Sequence, residues 1–144
     1  MGALSVANVL VTPLRQIATE GGDVWHGMKA NDPGYAGFGE AYFSCVSDGA
    51  VKAWKRHTRM TMNLVVPLGC VRFAFSDDGS TASRVEVAGP ERYVRITVPP
   101  GIWFGFQGRH APVSMVLNLA SIPHDSTEVE RRGVADFTFD WQSP

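Results

Sequence analysis

Cysteine is scarce in this chain, long apolar runs are missing, and neither sign of charge prevails. Only Cys45 and Cys70 occur among 144 residues; they form no C-x-x-C pair and sit in apolar, strand-like stretches. Two reduced structural thiols are therefore expected rather than a disulfide framework or a cysteine-based metal site. No apolar run approaches the length of a membrane span. The opening "MGALSVANVLVTPLRQIATEGGDVW" has no basic leader ahead of an apolar core, so the expected location is cytoplasmic. "MGALSV" matches a myristoylation pattern only loosely, and that reading is set aside. Charged residues make up 19% with a net charge of −1, so neither nucleic acid nor an anionic membrane is an expected partner. Helical periodicity is nearly absent as well.

What the chain does have is aromatic weight and short strands. Four Trp, eight Phe and three Tyr exclude a disordered chain, and the length suits a single domain over residues 1–144. Apolar and β-branched runs recur as "NVLVTPLRQI", "DVWHGMK", "GEAYFSCV", "AVKAWKRH", "MTMNLVVPL", "CVRFAFS", "SRVEVA", "YVRITVP", "IWFGFQG", "VSMVLNLA" and "DFTFDW". Turn residues separate them in "SDG", "SDDGST", "AGPER", "VPPG" and "GRHAP". Only "DSTEVERR" reads as a short helix, with Asp125 or Ser126 as its cap. Eleven short strands in one domain predict an all-β jelly roll, closed as a double-stranded β-helix.

In such a barrel every second side chain points inward. The stretch "VKAWKRHTRMTMNLVVPLG" crowds Lys52, Lys55, Arg56, His57 and Arg59 together. Alternation puts Lys55 and His57 on one face and Arg56 on the other. If the shared face is the interior, a Lys and a His are held there among apolar groups, and they need a ligand, a partner or water.

The spacing of this stretch resembles the first cupin motif. Gly49 is followed by five residues, Lys55-Arg56-His57, four residues, Met62, six residues and Gly69. The second cupin motif is matched by Pro99-Pro100-Gly101-Ile102-Trp103-Phe104. Three of the four positions that hold metal ligands in cupins here carry Lys55, Met62 and Phe104. An ammonium, a thioether and a phenyl ring do not replace imidazole and carboxylate around a divalent ion, so no metal is expected. No other cofactor is implied.

Among metal-free cupins, the chain resembles the dTDP-4-dehydrorhamnose 3,5-epimerases and the related dTDP-4-keto-6-deoxyglucose 3,4-ketoisomerases. "GGDVWHGMK", "GAVKAWKRHTRMTMNLVVPLG" and "VPPGIWFGFQG" carry that resemblance over roughly residues 20 to 120. The epimerases' catalytic His falls on Lys55, and their late Tyr falls near Leu117 or Asn118. The second His of the ketoisomerases falls on His57, and their early Tyr, seven residues ahead of the Gly, falls on Tyr42. The resemblance implies a nucleotide-diphosphate sugar as partner, a homodimer paired through "NVLVTPLRQI", and an epimerase or ketoisomerase acting through an enolate. A non-catalytic sugar- or nucleotide-binding cupin is the alternative.

Enolate chemistry needs a base near neutral pKa, a donor to the developing oxyanion and an acid. His57 is the candidate base, Lys55 the candidate donor or base, and Tyr42 the candidate acid. For His57 the alternative is a core histidine bonded to a backbone carbonyl. Lys52, Arg59, Arg72 and Arg95 are candidates for pairing with a diphosphate, or else solvated strand residues. Trp54, Trp103 and Phe104 are candidates for stacking on a base or sugar face, or else core. Gln107 and Asn118 are candidates for reading sugar hydroxyls. His110, His124, Asp77 and Asp78 read as turn residues, and Asp23 as a loop anchor.

Overall fold

The computed structural model describes residues 4–144, so the loose myristoylation pattern at Met1 and Gly2 lies outside the described residues. The apolar runs form strands β1 (Leu10–Pro13), β2 (Gln16–Ile17), β3 (Val24–Trp25), β4 (Glu40–Ser47), β5 (Val51–His57) and β6 (Met62–Leu68). They continue as β7 (Val71–Ser76), β8 (Arg84–Ala88), β9 (Val94–Val98), β10 (Trp103–Gly108), β11 (Val113–Ala120) and β12 (Val129–Arg131). Strands β1-β9-β6-β11-β4 make one five-stranded sheet, β12-β5-β10-β7-β8 a second, and β2-β3 a separate two-stranded ribbon. Both large sheets are antiparallel and face each other as the expected cupin jelly roll. Among the described residues no helix is long and apolar enough to cross a membrane.

Alternation decides what each sheet buries. In β7, Phe73 and Phe75 join Leu64, Val66, Ile96 and Val116 in the core between the sheets. Ala74, between them, faces the other way, into an aromatic layer of Trp54, Trp103, Phe137 and Trp141. Each buried Phe or Leu contributes about 1.5–3 kcal/mol of transfer free energy. Gly69 ends β6 at φ 86, and a Cβ there would meet the Ser114 Cβ at 2.7 Å, so no other residue fits the turn.

Three segments depart from the sequence expectation. "DSTEVERR" forms only a 3₁₀ turn, Ser126–Glu128, before β12. Asp125 caps that turn as expected, accepting from the Thr127 amide. Glu130 then meets Arg56 across the β12–β5 ladder, and this long-range pairing overrides local helix propensity. "DFTFDW" keeps strand-like alternation, with Phe137 and Trp141 buried, but it lies over the second sheet, joined to it by one β-bridge, Thr138 to Thr81, and by Arg72, which donates to the Trp141 carbonyl. "NVLVTPLRQI" is broken into β1 and β2, and β1 pairs with β9 of its own chain.

The feature that positions the site is a bulge. Opposite β10, Arg56 pairs with Trp103 and Lys55 with Phe104, but Ala53 comes next, with Gly105, and Trp54 is skipped. One extra residue resets the alternation. Lys52 and Lys55 therefore both lie on the inward face, opposite Phe106 and Phe104. Gly105 makes room for the bulge, since a Cβ there would fall 2.4 Å from that of Ala53.

Candidate active site

A cavity of about 410 Å³ opens between the two sheets. Its floor is apolar, built by Met62 and Leu64 of β6, Val116 of β11, and Phe104 and Phe106 of β10. Its polar groups are Tyr42 and Ser44 of β4, Asn118 of β11, Lys52 and Lys55 of β5, Arg131 of β12 and the following Arg132. Ala53 and Trp54 complete the lining, which holds no carboxylate. The Arg132 guanidinium lies over the Trp103 ring at 5.2 Å, in the outer layer, so Lys52, Lys55 and Arg131 are the cationic groups left to the cavity.

The β5–β12 ladder has two unlike faces. Outward, Arg56 makes a bidentate pair with Glu130, at 2.8 Å to Oε2 and 3.1 and 2.8 Å to Oε1. Inward, Lys55 stands opposite Arg131, a like-charge pair that is unfavourable on its own. None of the ion pairs among the described residues includes Lys52, Lys55 or Arg131. Lys52 Nζ donates to the Cys45 carbonyl at 2.7 Å. Burial, then the charges of Arg131 and Lys52, push the Lys55 ammonium below its ordinary pKa, against a smaller opposing pull from Glu128.

Behind this wall lies a buried acid–imidazole pair. His57 Nδ1 donates to Glu128 Oε2 at 2.5 Å, and both side chains are almost wholly buried. The other carboxylate oxygen accepts from the amides of Arg59 (3.1 Å) and Met60 (2.8 Å). Burial opposes the Glu128 charge, but the bonds from His57 and these amides outweigh it and hold the carboxyl below its ordinary pKa. Burial likewise lowers the pKa of His57, more than Glu128 raises it. Nε2 is buried with no hydrogen-bond partner among the described residues, and with the lowered pKa this favours the neutral ring, its proton on Nδ1 facing Glu128 and a lone pair on Nε2. The imidazole stacks on the Phe104 ring at 6.2 Å between centroids, so His57 sits one layer behind the cavity lining.

On the opposite sheet, Asn118 orients Tyr42. The Asn63 amide donates to Asn118 Oδ1 at 3.2 Å, which turns Nδ2 toward the Tyr42 hydroxyl at 3.0 Å. Tyr42 accepts that bond and keeps its own O–H proton to donate.

Of the residues singled out in the sequence, Tyr42, Lys52, Trp54, Lys55, Phe104 and Asn118 border the cavity. The Trp54 ring nevertheless stacks on Phe137 at 4.6 Å, and its indole N–H donates to the Val134 carbonyl. Arg59, Arg72, Arg95, Trp103 and Gln107 lie elsewhere. Arg59 pairs at the surface with Asp125. Trp103 belongs to the outer aromatic layer, with Arg56 over its ring at 4.8 Å. Gln107 accepts from Arg72 at 3.0 Å, and Arg72 also donates to the carbonyls of Trp141 and Ser143. No sequence motif singles out Glu128, Arg131, Arg132 or Ser44. The alternation of Val129 and Arg131 after Glu128 was the available signal for a strand there. Among the described residues no three His, Cys, Asp or Glu side chains converge. Both cysteines are free thiols, Cys45 exposed and Cys70 half-buried.

No family model matches the chain, and a comparison with curated proteins finds no match. Solved structures do match. A dTDP-sugar isomerase from Desulfovibrio desulfuricans is 34% identical, with a TM-score of 0.87 over 99% of this chain and 97% of that one. A sugar 3,4-ketoisomerase from Thermoanaerobacterium thermosaccharolyticum, in complex with TDP, shares the fold at 17% identity and TM-score 0.75, over 88% of this chain and 90% of that one. A 4-keto-6-deoxy sugar epimerase from Streptomyces spheroides shares it at 15% identity and TM-score 0.82, over 98% and 78%.

Proposed function

The chain belongs to the dTDP-sugar isomerase family, and from that premise we propose that it binds a nucleotide-diphosphate 4-keto-6-deoxyhexose and moves a proton beside the ketone. The reaction class is epimerisation or ketoisomerisation. The observation that carries this reading is the cavity itself, an apolar floor under the cationic side chains of Lys52, Lys55 and Arg131 with no carboxylate in the lining. Such a site is incomplete without an anion. Lys52 and Arg131 face the diphosphate, and the sugar lies on Met62, Leu64 and Val116.

Lys55 acts on the carbonyl and holds the electron pair left when the neighbouring proton departs. The proton acceptor is His57, whose Nε2 is reached when the Phe104 ring moves aside. Tyr42 is the acid on the opposite wall. The reaction proceeds without a metal, because Lys55, Met62 and Phe104 stand where a cupin would need ligands. The single cupin domain pairs as a homodimer through the outer face of the first sheet. There Phe43 (61% exposed) and Leu68 (48%) continue a half-buried band of Met115 and Leu117. A cytoplasmic location fits the two free thiols.

The test is incubation with dTDP-4-keto-6-deoxyglucose in D2O, following C3 and C5 by NMR. Deuterium should enter the sugar, and His57→Ala should slow its entry by roughly 10³-fold while dTDP still binds by calorimetry. Binding without exchange, here and with GDP-, CMP- and UDP-keto-sugars, would leave the non-catalytic reading.

A further inference from the structure

We infer that Lys55 acts covalently: its ε-amine condenses with the sugar ketone, and the proton is lost from the carbon next to the resulting iminium. This rests on the keto-sugar reading above and specifies how the electron pair is held.

The geometry sets Lys55 apart from every other cation at the site. Two amines border the cavity, and Lys52 is the one already bonded to a carbonyl. Among the described residues Lys55 makes no ion pair, and Arg131 stands directly across the ladder from it. Its other cross-strand neighbour is Phe104, and Met62 and Leu64 lie in the same lining. Apolar walls and a neighbouring cation are the two conditions that make a lysine a nucleophile at neutral pH, and the lowered pKa of Lys55 has those causes. Arginine offers no equivalent chemistry, because its guanidinium keeps its charge.

The step balances within the site. The Lys55 nitrogen attacks the carbonyl carbon, and its proton passes to the oxygen to give a carbinolamine. Tyr42 donates its O–H proton as water leaves, which creates the C=N bond. His57 Nε2 takes the α-proton; the C–H electrons form a C=C bond to the former carbonyl carbon, and the C=N π pair moves onto the Lys55 nitrogen to give an enamine. The proton returns to the same carbon on either face. One water then hydrolyses the iminium, restoring ketone and amine, and Tyr42 is reprotonated. A proton delivered instead to the nitrogen-bearing carbon would leave an amine that water cannot remove. The covalent route therefore commits the chain to epimerisation and excludes transfer of the ketone to the next carbon.

Sodium cyanoborohydride added with dTDP-4-keto-6-deoxyglucose tests this. The intact protein should gain the mass of one sugar nucleotide less one oxygen atom, and peptide mapping should locate it on Lys55. Lys55→Arg keeps the charge but cannot condense. It should form no adduct and exchange deuterium at least about 10²-fold more slowly, with dTDP affinity within about 3-fold of wild type. Deuterium exchange without an adduct, an adduct on Lys52, or a 3-keto product overturns the covalent route and leaves the keto-sugar reading standing. Absence of both exchange and adduct removes that reading and the inference with it.

Discussion

The fold carries two sets of cations, one buried and one bordering the cavity, and they differ in who satisfies them. Arg95 is fully buried and donates to the Gly27 and Pro33 carbonyls, each at 2.9 Å, and to Asp32 at 3.4 Å. Arg72 is buried too, and donates to Gln107, Trp141 and Ser143. Each uses its planar fork to tie a loop or tail onto a sheet. Around the cavity, Lys52 reaches one carbonyl, while Lys55 and Arg131 face each other with no acceptor among the described residues. Positive charge alone thus says little about function in this chain. A buried cation whose acceptors its own chain supplies is structural, whereas cations that converge on a cavity wall without acceptors are free to meet an anion.

The sharpest way to break that comparison is to remove a buried, hydrogen-bonded cation. Arg95→Met strands two carbonyls and a carboxylate, and should lower stability by about 3 kcal/mol in urea unfolding. Arg72→Met should cost a similar amount and loosen the C-terminal residues that cover Trp54 and Trp103. Wild-type stability in both variants would mean that hydrogen bonding of buried guanidinium groups does not distinguish the two sets.

The His57–Glu128 pair lies between the two cases, with one nitrogen satisfied and the other empty. Its pH dependence follows from the direction of both shifts. The folded state lowers the pKa of His57 below the ordinary 6.5, so the unfolded chain takes up a proton that the folded one refuses. Stability should therefore fall as pH drops below about 6.5, by at most about 1.4 kcal/mol per pH unit for this one proton. Glu128, also lowered, adds to the loss further down, as its carboxylate is protonated below the ordinary 4.5. Urea midpoints at pH 7 and 5.5 should separate for wild type and converge for His57→Gln. Equal separation in the variant would assign the effect to other groups.

Alternation alone made much of this legible. Most strands from Glu40 to Ala120 are readable because they carry a period of two or a largely apolar run between turn residues. The same rule correctly paired Lys55 with His57 on one face. It failed at Trp54, because a bulge leaves no mark in a run of strand-forming residues, and Lys52 would otherwise point away from Lys55. It does separate Trp103 from Phe104, which are adjacent and face opposite layers. Glu128 was hidden for another reason. Its role comes from a contact with His57 across 71 residues, which no local pattern encodes.

The smallest effect probes the unsatisfied set directly. Lys55→Met removes a like-charge contact with Arg131 and should stabilise the ligand-free protein by about 0.5 kcal/mol at pH 7. Because the folded state lowers the Lys55 pKa, the cost of holding its proton is greatest at neutral pH and fades toward the ordinary value of 10.5. The gain should therefore shrink when the same pair of proteins is compared at pH 10. Adding dTDP should reverse the order, because the ligand stabilises whichever protein binds it more tightly. Arg131→Met should behave alike without ligand, since either change ends the same repulsion. A loss of stability in both variants would mean that the cavity cations hold the fold after all, and the distinction from Arg72 and Arg95 would disappear.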